Sequence, residues 1–462
     1  MNQTAFILFT VSIVYFMTLN LFYLGLQILA FFGSVRRLRE VKYMNFNVLS
    51  TSFLTPPISV IIPAYNEELG ITDCVYSTIR SDYPEFEVLV VNDGSDDNMM
   101  SVLSDEFQLE VRDIFFRQSL PTADVRAVFQ STTWPNLWVI DKYNGGKADS
   151  LNAGVNLARY PYVVASDADS IFDPTGLLRI ISVVNLDPEH AVGVGGQIRV
   201  GNGLQIEKGQ VVGMRLPKGL LPKLQIVEYL GSFLGNRTGW SELNGVMVIS
   251  GAFGLWKKDT VIELGGMTSE TTHEDIEYTF RLHEHFRRRR LPYWVYFVPD
   301  PIVWTEVPTS WKDLFAQRKR WQRVVNEVVW RYRRMFMNPR YGLVGMVAMP
   351  YMLIYEIFGP MIEIASYLLV AILIILGLID MRALLLFLLV SFGLTIVIRA
   401  GGMFVEQYSF RTFPMRAVFR LLSMAVVENL GYHQILSIAR IIAFWEWIRG
   451  KKGWARIKRQ GL

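Results

Sequence analysis

Cysteine is almost absent: Cys74 is the one thiol in 462 residues. Alone it closes no intramolecular disulfide and builds no zinc cluster, which excludes a disulfide-stapled secreted scaffold and a cysteine-rich metal site. The bulk of the chain is expected to face a reducing cytosol. Charge is also scarce, at 19% of residues against 51% hydrophobic, on the apolar side of an average soluble domain. Forty-six basic and 42 acidic residues leave only +4, too small an excess for a nucleic-acid binder unless it is gathered on one face. No nucleic-acid partner is therefore expected. Internal repeats and low-complexity tracts are missing as well. Gly145-Gly146-Lys147 runs into Ala148 and lacks the upstream glycine of a P-loop, so that kind of phosphate cradle is ruled out.

What the chain does have is length and long apolar runs. At roughly 150 residues per domain it allows about three domain-sized units. Residues 1–35 carry no charge, and the run 5–32 is 28 residues long, more than the roughly 20 needed to cross hydrocarbon. The segment 1–35 reads as an N-terminal transmembrane helix; a cleaved signal peptide would want a basic leader and a shorter apolar core. Arg36, Arg37, Arg39 and Lys42 follow at once, so the positive-inside bias puts them in the cytoplasm and the N-terminus outside. Two further spans are expected at 360–379 and 383–404, joined by a tight turn at 380–382. Segments 343–355 and 417–447 are apolar, but Glu356, Arg420, Glu428, His433 and Arg440 interrupt them or stand beside them. They read as interfacial or re-entrant helices, so the C-terminal membrane region 343–447 leaves a total of three to five spans. The tail 448–462, with Arg449, Lys451, Lys452, Arg456, Lys458 and Arg459, suits the anionic cytoplasmic leaflet.

Between these runs lies a segment of different pattern, 52–305. Short β-branched runs at 58–62, 88–91, 137–140 and 162–165 alternate with helical stretches at 71–81 and 147–158. That alternation predicts an α/β doubly wound sheet, which binds ligands beyond the carboxyl ends of its strands. Here those ends carry polar residues: 63–67, 92–97 and 166–170. The stretch 106–135 reads as an inserted loop or excursion. Over 308–336, Trp311, Leu314, Phe315, Trp321, Val324, Val325, Val328 and Val329 form a helix-period stripe opposite Arg318, Lys319, Arg323 and Arg331 to Arg334. A basic amphipathic helix lying on a membrane surface is expected.

Each polar cluster has a structural and a chemical reading. Asp167 and Asp169 stand one residue apart at a strand end. They are either a solvated turn or helix cap, or a site for Mg²⁺ or Mn²⁺, which takes carboxylates together with substrate phosphates. Asn92-Asp93-Gly94-Ser95-Asp96-Asp97 is either a turn or a place where Asp93 bonds a base or ribose. Lys147 is a candidate phosphate-facing cation. Glu274 and Asp275 open a helical run, where acids favour the positive helix end whether or not they are catalytic. His273, His283 and His285 match no zinc spacing. Gln317, Arg320 and Trp321, at i, i+3 and i+4, present an amide, a guanidinium and an indole on one helix face; the plainer alternative makes Trp321 part of the apolar stripe.

In this order, the motifs resemble the family 2 membrane glycosyltransferases, the group of cellulose, chitin, hyaluronan and poly-N-acetylglucosamine synthases. The resemblance covers about 59–334 and rests on Pro63-Ala64-Tyr65-Asn66-Glu67, Asn92-Asp93-Gly94-Ser95, Gly146-Lys147-Ala148 with Leu151-Asn152-Ala153-Gly154, Asp167-Ala168-Asp169, His273-Glu274-Asp275 and Gln317-Arg318-Lys319-Arg320-Trp321. It implies a GT-A type nucleotide-binding domain with flanking transmembrane helices. By resemblance, Tyr65, Glu67, Asp93 and Lys147 line the nucleotide site, and Asp169 with Asp167 holds Mg²⁺ or Mn²⁺ on the diphosphate. Asp275, beside Glu274, becomes the catalytic base. Gln317, Arg320 and Trp321 border the acceptor sugar and diphosphate, and Ser250-Gly251-Ala252 approaches the acceptor terminus. Where the family usually has Thr or Ser before Glu-Asp, this chain has His273, and the tail after Trp447 is too short for a cyclic-dinucleotide domain. The implied activity is processive, inverting β-transfer from a UDP-sugar, UDP-glucose or UDP-N-acetylglucosamine, to a growing exopolysaccharide at the cytoplasmic membrane. The alternative is a single transfer to a lipid or short glycan. The implied partners are the UDP-sugar donor, a glycan acceptor and the lipid bilayer, with room for a homo-oligomer or accessory secretion subunits.

Overall fold

The computed structural model describes residues 3–270 and 274–451; His273, Lys452, Arg456, Lys458 and Arg459 lie outside the described residues. The strands are β1 (Ile58–Ala64), β2 (Phe86–Asn92), β3 (Leu109–Val111), β4 (Val125–Ser131), β5 (Leu137–Lys142), β6 (Tyr162–Ala165), β7 (Ile171–Phe172), β8 (Ala191–Val200), β9 (Leu204–Glu207), β10 (Gln210–Met214), β11 (Gly254–Lys257) and β12 (Trp294–Thr305). Ten of them make one sheet in the order β3-β4-β5-β2-β1-β6-β11-β8-β12-β7, and β9 pairs with β10 as a separate hairpin. The chain falls into two compact units, and the division runs through its first helix.

The unit made of 37–218 and 244–307 contains the sheet. Strands β5, β2, β1 and β6 run parallel, as the strand and helix alternation predicts. All seven residues of β1 are buried, as a parallel strand covered on both faces requires. The rest of the sheet is mixed: β3, β4, β7 and β11 pair antiparallel with their neighbours. The stretch 106–135, read from sequence as an inserted loop or excursion, is thereby corrected. It holds β3 and β4, which extend the sheet beyond β5, with irregular chain between them. Arg37, one of the four basic residues expected to flag the cytoplasmic side, is buried in this unit. Its Nε donates to Asp300 Oδ2 at 2.8 Å, and its Nη2 to the Arg179 carbonyl at 2.8 Å and Ser182 Oγ at 2.9 Å.

The other unit comprises 3–36, 219–243 and 308–451. The segment 219–243, which the linear reading kept inside 52–305, thus belongs with the apolar helices. Among the described residues two helices are long and apolar enough to cross a membrane, Gln3–Tyr43 and Met381–Ser409. The expected span at 360–379 is shorter: helix Gly359–Ile375 has 17 residues and meets Val344–Ile357 at a 46° bend. Pro360, with no N–H to donate, sits at this break. Only if the bent pair counts as one crossing does the number reach three. The turn expected at 380–382 is present, with Asp380 Oδ1 accepting from the Ala383 N–H at 2.8 Å as an N-cap. Most of the charges that interrupted the apolar reading are paired: Glu356 with Arg440 at 2.7 Å, Glu363 with His433 at 2.9 Å and Glu428 with Arg399 at 3.0 Å. Pairing is what makes charge tolerable in such an apolar bundle.

Helix Trp311–Arg331 forms as the stripe predicts, but its charge is not all outward. Arg318 is buried, ion-paired with Glu228 at 2.8 Å, and its guanidinium lies 4.3 Å from the Trp321 ring centroid. Lys319 pairs with Glu446 at 2.6 Å. The basic face expected opposite the apolar stripe therefore docks partly on protein, through Arg318 and Lys319. The cause is the set of acids supplied by the neighbouring helices Leu220–Tyr229 and His433–Ile448.

Within the sheet unit, helix Lys147–Leu157 presses on β1 at Gly154, where an added Cβ would stand 2.3 Å from Ile61 Cγ2. We predict that Gly154→Ala costs about 1–3 kcal/mol by overpacking, read as a lowered denaturation midpoint of the whole chain. An unchanged midpoint would show that helix and strand are not in forced contact.

Candidate active site

Strand direction decides where the polar clusters meet. Register aligns Ala64, Asn92 and Asp141 side by side at the carboxyl ends of β1, β2 and β5, so Tyr65, Asp93 and Lys142 follow at one sheet edge. Strand β6 ends at the same edge and is followed by Asp167 and Asp169. Because β11 runs antiparallel to β6, with Gly254 opposite Ala165, the preceding residues Ser250, Gly251 and Ala252 arrive there too. Strand β12 brings Thr305, whose hydroxyl donates to Asp169 Oδ2 at 3.4 Å.

Asp93 is buried, and its carboxylate is largely occupied by protein. Oδ1 accepts from Lys142 Nζ at 2.7 Å and the Gly145 N–H at 2.9 Å, and Oδ2 from the Gly146 N–H at 2.8 Å. Asp93 thereby fixes the loop ahead of Lys147, and Gly146 adopts φ +88, a left-handed conformation suited to glycine. Lys142 is fully buried and also pairs with Asp149 at 2.7 Å. Sequence reasoning passed over Lys142; a lysine closing an apolar strand next to a cluster of acids was the available signal. Around Tyr65 the loops cross-link: its hydroxyl donates to Asp96 Oδ2 at 3.1 Å, the Asn66 N–H to Ser95 Oγ at 3.0 Å, and the Glu68 N–H to Asp97 Oδ2 at 3.0 Å. Glu67 is half-buried at the end of β1.

The centre of the site is Lys147, the first residue of its helix. Its Nζ lies 2.7 Å from Asp167 Oδ1 and 2.9 Å from Glu274 Oε1. Burial alone would lower its pKa, but Asp167, Glu274 and Asp275 together hold the ammonium above the ordinary lysine range. Asp275 Oδ2 accepts from the Gly251 N–H at 2.7 Å and Oδ1 from the Ile276 N–H at 2.8 Å. Gly251 completes the enclosure: a Cβ there would stand 2.6 Å from Lys147 Nζ and 3.2 Å from Asp275 Oδ2. The Ala252 carbonyl accepts from Ser166 Oγ at 3.0 Å and Ser170 Oγ at 3.2 Å, tying the 250–252 loop to the residues flanking the aspartates.

The turn reading of 167–170 holds, since the Ser170 N–H donates to the Asp167 carbonyl at 3.1 Å, and it leaves both carboxylates half-buried at the sheet edge. Among the described residues no group of three or more His, Cys, Asp or Glu side chains is arranged to hold an ion. Two hard carboxylates without a closed cage suit an ion whose remaining ligands are phosphates and water, as Mg²⁺ and Mn²⁺ sites on nucleotides commonly are. Cys74 lies beneath this turn, fully buried, with Sγ donating to the Asp167 carbonyl at 3.7 Å and burial pushing its thiol pKa up; it is no nucleophile. His283 is equally structural. Buried between the Val246 carbonyl and the Tyr293 hydroxyl, it is kept neutral, its pKa pushed down to about 4 chiefly by burial.

Gln317, Arg320 and Trp321 belong to the other unit. They do share a face of helix Trp311–Arg331, and Trp321 is 36% exposed.

Replacing Asp93 by Asn should leave the buried Lys142 ammonium short of a counter-charge, a loss of about 3–5 kcal/mol for a broken buried pair. Thermal unfolding checks this, and a variant with unchanged stability would show that Asp149 alone suffices for Lys142.

Residues 56–324 match the model of the family described as "Glycosyltransferase like family 2". Poly-beta-1,6-N-acetyl-D-glucosamine synthase of Staphylococcus epidermidis is 27% identical over 274 residues, 59% of this chain and 56% of that protein. The Staphylococcus aureus protein of the same name is 29% identical over 275 residues, with the same two coverages. The chain thus spans little more than half the length of the curated relatives it matches. Among solved structures, a mannosyltransferase from Pyrobaculum calidifontis in complex with GDP-Man and Mn²⁺ superposes with a TM-score of 0.53 at 17% identity, covering 91% of this chain and 99% of that one. That likeness shows a shared GT-A-like fold. The family match extends over more than half of the residues, and the chain belongs to glycosyltransferase-like family 2.

Proposed function

We propose that this protein is a processive, inverting β-glycosyltransferase that moves a sugar from a UDP-sugar, UDP-glucose or UDP-N-acetylglucosamine, to a growing exopolysaccharide at the cytoplasmic membrane. The observation that carries the proposal is the convergence of Asp167, Lys147, Glu274, Asp275 and Gly251 at one sheet edge. The relatives named as poly-beta-1,6-N-acetyl-D-glucosamine synthases support the choice of donor and product. The apolar helices Gln3–Tyr43 and Met381–Ser409 support a membrane location, with the catalytic unit in the cytosol as the basic residues after 35 suggest.

An inverting transfer needs two things: a base for the acceptor hydroxyl, and charge to stabilise the departing diphosphate. Asp275 is the base. The acceptor oxygen attacks the anomeric carbon as the bond to the diphosphate oxygen breaks, and the hydroxyl proton passes to the Asp275 carboxylate. Backbone N–H groups of Gly251 and Ile276 fix that carboxylate, and Glu274 anchors Lys147 beside it. Asp167 and Asp169 would hold Mg²⁺ or Mn²⁺, which would supply positive charge to the leaving phosphates. Tyr65, Glu67 and Asp93 serve the nucleotide, Asp93 by holding Gly145 and Gly146 in place. Trp321 offers an indole face to a sugar ring and Arg320 a bidentate grip for phosphate.

The second reading is one sugar added to a lipid or short glycan; among the described residues two helices are long and apolar enough to cross a membrane, or three crossings are made if the bent pair counts as one. Product length on a gel separates the readings, with a ladder of long glycan expected. For the chemistry, Asp275→Asn should lower transfer by about 10²- to 10⁴-fold, the usual contribution of a general base, while UDP binding stays within twofold. Turnover near the original rate would remove Asp275 from the role.

A further inference from the structure

Lys147 has a position that the transfer chemistry does not by itself require. Its backbone is fixed: Asp93 grips the N–H groups of Gly145 and Gly146, and Lys147 opens the helix that follows. Its side chain is a flexible four-carbon stem ending in a point charge, one-third exposed, and that charge bridges Asp167 and Glu274. Asp167, Glu274 and Asp275 bring three carboxylates around this ammonium, and Asp169 follows Asp167 by two residues. Like charges so close disfavour one another unless a cation is shared. Gly251 leaves the space the ammonium occupies, since any side chain there would meet Nζ.

We propose that Lys147 is the resident counter-ion of this acidic cluster, holding the Asp167 carboxylate so that a divalent ion binds tightly only together with a nucleoside diphosphate. This rests on the reading of Asp167 and Asp169 as the metal carboxylates. A divalent ion arriving alone must share Asp167 with an ammonium, and the two cations repel. An ion arriving with a diphosphate brings negative charge that offsets the repulsion and gives the ammonium another anionic neighbour. Metal and nucleotide then bind with positive coupling, and each raises the other's affinity by the same factor. Premature loading of the acids without donor is thereby opposed.

The test is Mn²⁺ titration of the full-length purified protein, read from the free-ion electron paramagnetic resonance signal, with and without UDP. In the unaltered protein, UDP should tighten Mn²⁺ binding at least tenfold. In Lys147→Met, Mn²⁺ without UDP should bind at least tenfold tighter than in the unaltered protein, and the effect of UDP should shrink. Lys147→Arg, which keeps the charge, should behave like the unaltered protein and guards against a misfolded methionine variant. If UDP-dependent Mn²⁺ binding is present but Lys147→Met binds Mn²⁺ alone no more tightly, the counter-ion proposal is overturned and the functional reading stands. If no form of the protein binds Mn²⁺ even with UDP, the proposal and the metal reading beneath it both fall.

Discussion

The ion pairs of Lys147 with Asp167 and Glu274 are what the rest of the site depends on. A cluster of carboxylates at one sheet edge is electrostatically unstable, and a protein can keep it only by neutralising part of its charge. Here the neutralising group comes from the chain itself. Its placement is over-determined: Asp93 and Lys142 hold the loop before it, Gly154 seats its helix on β1, and Gly251 clears the space for its head.

The sheet gives this arrangement its precision. Parallel strands deliver their carboxyl ends to one edge, so residues distant in sequence, Tyr65, Asp93, Lys142 and Asp167, become neighbours with no long loop to order. The antiparallel strand β11 is the necessary exception. Its reversed direction brings the segment before it, Ser250 to Ala252, to the same edge, where the Gly251 N–H reaches Asp275. A purely parallel sheet would have put that segment on the opposite side.

Much of this was legible in the sequence, and the misses have physical causes. Strands β1, β2, β5 and β6 read clearly because each has a short apolar run with β-branched residues, as strands buried on both faces commonly do. Strand β4 did not, since it lies near the sheet edge, half-buried and carrying Arg126 and Gln130, so its pattern is that of a loop. Strand β8 is disguised by Gly193 and Gly196, which lower strand propensity but are forced by the close approach of Trp256 and Ile302. The acids and Lys147 stood out from their motifs, yet nothing in spacing shows that Lys147 faces Asp167 and Glu274, because that contact joins residues 20 and 127 positions apart. Arg318 looked like surface charge because its partner Glu228 lies 90 residues away. Helix periodicity describes one helix and is blind to the acid that a neighbour supplies.

The role proposed for the acids around Lys147 is metal-assisted transfer. The most direct measurement is UDP release by the purified full-length protein supplied with UDP-N-acetylglucosamine or UDP-glucose, with Mg²⁺ or Mn²⁺ present or removed by chelation. Release coupled to glycan formation is expected with either ion, with loss of both on chelation and recovery when the ion is restored. Equal release with and without chelator would contradict that role.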